Sequence, residues 1–110
     1  MKRLRKYGLL ETDIASIVSI LKSNPKINDV ILFGSRAKDN FRPGSDIDIA
    51  LKGGDINLDD ILSAISELDK LSLPYKFDLV IYDRISESAL IKHIERVGIS
   101  LFNRKDKVIN

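Results

Sequence analysis

The sequence predicts an α/β (α+β) fold in which a small mixed β-sheet of three to four strands is covered by one layer of helices. Short apolar runs that suit strands alternate along the chain with longer segments whose apolar residues recur at helical spacing. The 110 residues contain no linker rich in Pro, Gly and Ser and no internal repeat. We therefore expect residues 1–110 to form a single domain.

The first two predicted elements are a helix and a buried strand. The helix begins after Thr12-Asp13 and is closed by Pro25. Its inward-facing residues recur at helical spacing and are Ile14, Ile17, Val18 and Leu21. The strand ends in Ile31-Leu32-Phe33, an unbroken apolar run that indicates a buried strand.

A Gly-Ser turn follows this strand directly. Gly34 allows the backbone to come close to a ligand, and Ser35 is predicted to cap a short helical turn. The free N–H groups of such a turn and the serine hydroxyl would suit a phosphate. Taken alone, Gly-Ser after a strand is also a common turn. Arg36, Lys38 and Arg42 flank it, and they either grip a triphosphate or face solvent as loop charges.

The second strand carries two acids on one face. Asp46 and Asp48 alternate with Ile47, Ile49 and Leu51, so a strand there turns both carboxylates to the same side. Two ionised carboxylates so close repel each other, and a bound divalent cation removes that cost. Oxygen ligands favour magnesium, and zinc is disfavoured because the chain has no Cys and a single His. A solvated edge face is the alternative interpretation.

A second helix and a third strand supply a further acid. Asn57 is predicted to cap the helix, which ends at the turn over residues 72–74. Asp78 then interrupts the apolar run of the strand KFDLVIYD. If the strands pair in suitable register, Asp78 stands beside Asp46 and Asp48, and three carboxylates can hold two metal ions roughly 4 Å apart. The alternative is that Asp78 pairs structurally with a Lys or Arg.

The last predicted helix is capped by Ser86 and stopped by Gly98. Its inward-facing residues are Leu90, Ile91, Ile94 and Val97. His93 falls outside this stripe and is interpreted as an exposed residue without a role. The pattern after Gly98 also allows a short last strand.

Charge and composition bear on which binding partners and which location the sequence predicts. A net charge of +2 is too small to favour nucleic acid as the substrate. Only Leu9-Leu10 precede Glu11 near the start, so we expect neither a signal peptide nor a membrane span. The absence of Cys fits a cytoplasmic protein. The basic residues near both ends are interpreted as solvated tails; they are Lys2, Arg3, Arg5, Lys6, Arg104, Lys105 and Lys107.

These motifs resemble the nucleotidyltransferase superfamily of DNA polymerase beta, in particular its minimal members (MNT), which are antitoxins often encoded beside a small helical HEPN toxin. That pattern is a strand, Gly-Ser, a spacer of about ten residues, Asp-x-Asp and a later acid. The resemblance covers most of the chain, from about residue 14 to residue 103. Asp39-Asn40 stand where a glycine is often found, so the intervening loop is expected to differ in shape.

The resemblance implies a Mg²⁺-dependent nucleotidyltransferase that moves AMP from ATP to a hydroxyl, most simply a tyrosine of a HEPN-type toxin. It implies two Mg²⁺ ions. Their ligands and the catalytic acids would be Asp46, Asp48 and Asp78, and the nucleotide-binding residues would be Gly34, Ser35, Arg36 and Ser45.

Other functions stay open at this point. The acceptor can be a small molecule or an RNA end, as in larger relatives. The chain can also be a non-catalytic module that masks a partner toxin. Because one small domain leaves little surface for the base and the acceptor, we expect it to borrow that surface from a partner or from a second copy in a homo-oligomer.

Overall fold

A computed structural model describes residues 4–107, with side chains as far as residue 105. Ten helices and strands lie in this range, and two short 3-10 turns over residues 82–84 and 104–107 follow β5 and β6. In chain order they are β1 (Arg5–Lys6), β2 (Leu9–Leu10), α1 (Glu11–Lys22), β3 (Ile27–Phe33), α2 (Gly34–Ala37), β4 (Ile47–Gly53), α3 (Leu58–Asp69), β5 (Phe77–Ile81), α4 (Ser88–Val97) and β6 (Ile99–Asn103).

The main sheet has four strands in the order β5-β4-β3-β6. Strand β3 pairs antiparallel with β4 and with β6, whereas β4 and β5 are parallel. The small mixed sheet is therefore confirmed, and the short last strand is β6. A second, two-stranded hairpin of β1 and β2 was not predicted. Its turn is Tyr7-Gly8. Both residues have positive φ, as a two-residue hairpin turn commonly requires.

Helices cover both faces of the sheet, so the expected single helical layer is wrong. On one face, α1 and α3 pack against the main core, which includes Leu32, Ile49 and Leu51. On the other face, Ile94 of α4 packs against Ile31, Phe33 and Ala50. The physical reason is that β3 is apolar on both sides, because consecutive residues of a strand point to opposite faces. Asp48 shares the face of Ala50, which is the face that α4 partly covers.

The predicted helix caps have different outcomes. The Asn57 cap is confirmed: its side-chain oxygen accepts from the Asp60 N–H at 3.1 Å, and Asp60 returns the bond by accepting from the Asn57 N–H at 2.9 Å. The Ser86 cap is wrong, since α4 begins at Ser88 and no side chain caps it. The Ser35 cap is also wrong. Helix α2 already begins at Gly34, so Ser35 lies inside its first turn.

The basic residues near the ends are only partly tails. Arg104 donates from Nη2 to the main-chain oxygens of Ile27 at 2.7 Å and Lys22 at 3.1 Å, which ties the end of β6 to the start of β3. Lys2, Arg3 and the side chain of Lys107 lie outside the described residues. No helix within residues 4–107 is long and apolar enough to cross a membrane.

Candidate active site

The two acids on neighbouring strands lie side by side. Parallel pairing of β4 with β5 places Asp48 directly beside Asp78. Adjacent strands are about 4.8 Å apart, and laterally paired residues point to the same face. The sequence predicted this neighbourhood but could not fix the register on which it depends.

Asp46 occupies a different position from the one predicted. Strand β4 begins at Ile47, so Asp46 belongs to the end of the preceding loop and is exposed. Its negative charge still raises the pKa of Asp48. Within residues 4–107, however, no three Asp, Glu, His or Cys side chains are already gathered at metal-binding distance. A cation at this site would have to draw Asp46 toward the pair formed by Asp48 and Asp78.

The half-buried carboxylate of Asp48 is the electrostatic centre of the site. Burial, followed by the negative charges of Asp78 and Asp46, raises the pKa of Asp48 to about 6, and Arg36 lowers it by less. The ionised form is therefore destabilised in the free protein. This donor set consists of carboxylate oxygens and carries uncompensated negative charge, which fits a hard divalent cation such as Mg²⁺.

Gly34 makes room for that carboxylate. Pairing of β3 with β4 sets Phe33 opposite Asp48, and Gly34 follows with a φ of +74°. A Cβ atom on Gly34 would collide with Oδ2 of Asp48 and lie 3.1 Å from its Cγ. Glycine is needed here for two reasons, the left-handed backbone and the close approach of the acid. Ser35 comes next and is half-buried in the first turn of α2.

Arg36 is buried rather than solvent-facing. Its side chain is only 2% exposed, and its guanidinium lies over the ring of Tyr75 at 4.7 Å and near that of Phe41 at 5.3 Å. Nε and Nη2 donate to the Ser45 main-chain oxygen at 3.2 and 2.8 Å, and Nη1 donates to that of Tyr7 at 2.9 Å. This geometry favours positioning of the loop over phosphate binding.

Ser45 also stabilises the loop that leads to Asp46 and Asp48. Its hydroxyl accepts from the Arg42 N–H at 2.8 Å, while its main-chain oxygen accepts from Arg36. These bonds fix the chain immediately before Asp46. The side chains of Lys38 and Arg42 are exposed. Among the four predicted nucleotide-binding residues, the structure thus sets Gly34 against Asp48 and Ser35 directly after it, whereas Arg36 and Ser45 bind one another.

His93 is a residue of the site that sequence reasoning missed. Its Nε2 accepts from the Gly34 N–H at 3.2 Å, and its ring meets that of Phe33 edge to face at 6.1 Å and 81°. The interpretation as an exposed residue is therefore wrong. A signal was present: His93 stands three residues after Leu90 and four before Val97, so it borders the apolar stripe of α4.

Comparisons with solved structures identify proteins of the same fold. A chain in a crystal structure of a toxin–antitoxin with AMP-PNP superposes with a TM-score of 0.70 at 26% identity, over 84% of this chain and 76% of that one. A mutant of the toxin–antitoxin MntA-HpeT gives 0.68 and 26%, over 84% and 74%. A chain in the structure of the tri-AMPylated Shewanella oneidensis HEPN toxin in complex with MNT antitoxin has the same fold. It superposes with a TM-score of 0.66 at 23% identity, over 87% of this chain and 74% of that one.

Sequence comparison gives the family. No curated protein matches the chain significantly. The family profile "Polymerase beta, Nucleotidyltransferase" matches residues 15–107, which include Gly34, Ser35 and all three acids. By fold and by sequence, the chain belongs to the polymerase beta nucleotidyltransferase family.

Proposed function

We propose that this nucleotidyltransferase moves AMP from ATP to a hydroxyl group of a HEPN-type partner protein, using two Mg²⁺ ions. The observation that carries the proposal is the lateral pairing of Asp48 with Asp78, with Gly34 packed against the Asp48 carboxylate. The similarity to a toxin–antitoxin with AMP-PNP supports both the adenine nucleotide and the partner class.

The acids would hold the metals and handle the proton. Asp46, Asp48 and Asp78 would hold the two ions. When bound, two Mg²⁺ ions would activate the attacking hydroxyl and neutralise charge on the triphosphate. Asp78 is exposed on the edge strand β5, where it can accept the proton of an incoming hydroxyl.

The Gly-Ser turn would orient the nucleotide. Ser35 would bind the β and γ phosphates beside Gly34, whose N–H is bonded to His93, while Arg36 and Ser45 hold the loop. The acceptor oxygen then forms a bond to the α-phosphorus as the bond from that phosphorus to the bridging oxygen breaks, and pyrophosphate leaves in line.

A partner would supply the acceptor and the rest of the nucleotide site. Within residues 4–107 the sheet and its helices account for most of the chain, and Asp46 and Asp78 lie exposed at its surface. A hydroxyl on a docked protein can therefore reach the acids from outside.

The test is to co-express the chain with the protein encoded by the neighbouring gene and to measure the mass of that protein with and without Mg²⁺. We expect a Mg²⁺-dependent addition of AMP to a hydroxyl side chain. The Asp46→Asn/Asp48→Asn variant should still bind the partner without modifying it. Asp69→Asn, an exposed acid at the end of α3, is the matched control and should act like the wild type.

Two outcomes would contradict the proposal. If the Asp46→Asn/Asp48→Asn variant protects cells from the toxin at the same substoichiometric amounts as the wild type, the chain is a masking module. If AMP appears instead on an RNA end or a small molecule, the reaction is as proposed but the acceptor is not.

A further inference from the structure

The imidazole of His93 is tied to the Gly-Ser turn across 59 residues of sequence. It reaches the turn from α4, the helix that packs on the same face of the sheet as Asp48. Phe33 contacts its ring from the side, and the Gly34 N–H donates to Nε2. This hydrogen bond joins α4 directly to the turn.

The bond has a specific chemical requirement. An imidazole nitrogen accepts a hydrogen bond only when it carries no proton, so Nδ1 must carry the proton of the neutral ring. The first N–H groups of a helix have no partner inside that helix. Without His93, the half-buried Gly34 N–H would have to find water or shift.

A shift of this N–H would reach the acids. Oδ2 of Asp48 occupies the space in which a Cβ atom of residue 34 would lie. The turn and the carboxylate are therefore in direct contact. Gly34 therefore lies between an imidazole on one side and a carboxylate on the other. Movement of the turn by a few tenths of an ångström would change the position of Asp48, of Ser35, or of both.

We propose that His93 is a positioning residue for nucleotidyl transfer: through Nε2 it fixes the main chain of Gly34 against Asp48 and so sets the phosphate turn relative to the acids. This inference rests on the proposed function, because it assigns a role in that reaction. The competing interpretation is a histidine that only fills space beside Phe33.

Two substitutions separate these interpretations. His93→Gln keeps a hydrogen-bond acceptor at a similar reach, whereas His93→Leu keeps apolar packing against Phe33 and removes the acceptor. Lys92→Gln, exposed on the same helix, is the control. Melting by circular dichroism checks folding, and His93→Met replaces His93→Leu if the latter does not fold.

The first measurement needs neither nucleotide nor partner. Amide hydrogen exchange by NMR on the free protein should show the Gly34 N–H exchanging about tenfold faster in His93→Leu, the size expected for one lost hydrogen bond. His93→Gln should stay within about threefold of the wild type. Unchanged exchange in His93→Leu would overturn the inference, whether or not the protein transfers AMP.

The second measurement is AMP transfer in the complex with the co-expressed partner. We expect kcat to fall about tenfold in His93→Leu with little change in the KM for ATP, because misplacement acts on the transition state. His93→Gln should recover most of the loss. Equal losses in both variants would show that ring shape alone matters and would overturn the inference. If the wild type transfers no AMP, the proposed function fails, and the Gly34 exchange rates still decide the role of His93.

Discussion

The raised pKa of Asp48 predicts that neutralising this acid stabilises the metal-free protein while it abolishes transfer. Folding moves the pKa of Asp48 from an ordinary 3.8 to about 6, and the largest cause is burial. The folded protein therefore binds a proton at Asp48 more tightly than the unfolded chain does. The resulting stabilisation is fully present below pH 3.8 and is lost as the pH rises through about 6.

The size of the effect follows from the shift. The rise in the pKa of Asp48 from 3.8 to about 6 corresponds to about 3 kcal/mol. Because the carboxylate is only half-buried, solvent screening reduces this to about 1–2 kcal/mol. Asp48→Asn has no proton to lose and stays neutral, so at pH 7 it should unfold about 5–10 °C above the wild type in EDTA. Near pH 4 the two proteins should melt together.

The assay is thermal unfolding of both proteins in EDTA between pH 4 and pH 7.5, with Asp69→Asn as the control for loss of an exposed acid. A lower melting temperature for Asp48→Asn at pH 7 would show that Asp48 is a structural acid with a stabilising partner. A gain that does not depend on pH would show that repulsion and burial of the charge are not its cause. Either result would refute the reasoning from the pKa.

Further predictions concern the turn, the loop, the metal and the partner. Ser35→Ala should slow AMP transfer by on the order of 100-fold, the usual loss for one preorganised donor, and equal rates would place the phosphate site elsewhere. Gly34→Val should abolish transfer and lower the melting temperature, since its Cβ would collide with Asp48; an active variant would contradict that geometry. Arg36→Lys should destabilise the protein by about 2 kcal/mol in urea unfolding, because lysine cannot make the forked contact with Ser45, and an unchanged midpoint would argue against the loop role. EDTA should stop transfer by the complex, and the isolated chain with ATP and Mg²⁺ should release little pyrophosphate until the partner is added; fast release by the chain alone would show that no partner surface is needed.

Local signals in the sequence predict those parts of the fold that depend on neighbouring residues. Alternation of Ile47, Ile49 and Leu51 with acids predicts the face that carries Asp48, and the capping pattern predicts Asn57 as the start of α3. The alternation also predicts Asp46 in this strand, because the pattern extends one residue beyond the start of β4 at Ile47. The pattern gives the face of a residue but not the point at which pairing begins.

The missed features depend on contacts between distant parts of the chain. The register that sets Asp48 beside Asp78 depends on the packing of the sheet as a whole. Arg36 is buried against the ring of Tyr75, which lies almost forty residues away. No local sequence pattern predicts this burial. His93 borders an apolar stripe, yet only the fold reveals that Gly34 is its partner.

The guanidinium of Arg36 has a practical consequence for where the functional unit begins. It joins the Tyr7 carbonyl of the N-terminal hairpin to the Ser45 carbonyl that precedes the acids. The hairpin lies ahead of residues 15–107, the segment matched by the family profile. A fragment trimmed to that segment would keep all three carboxylates and the Gly-Ser turn. It would also leave the buried Arg36 guanidinium without one of its acceptors, so the hairpin helps to stabilise the loop that leads to Asp46.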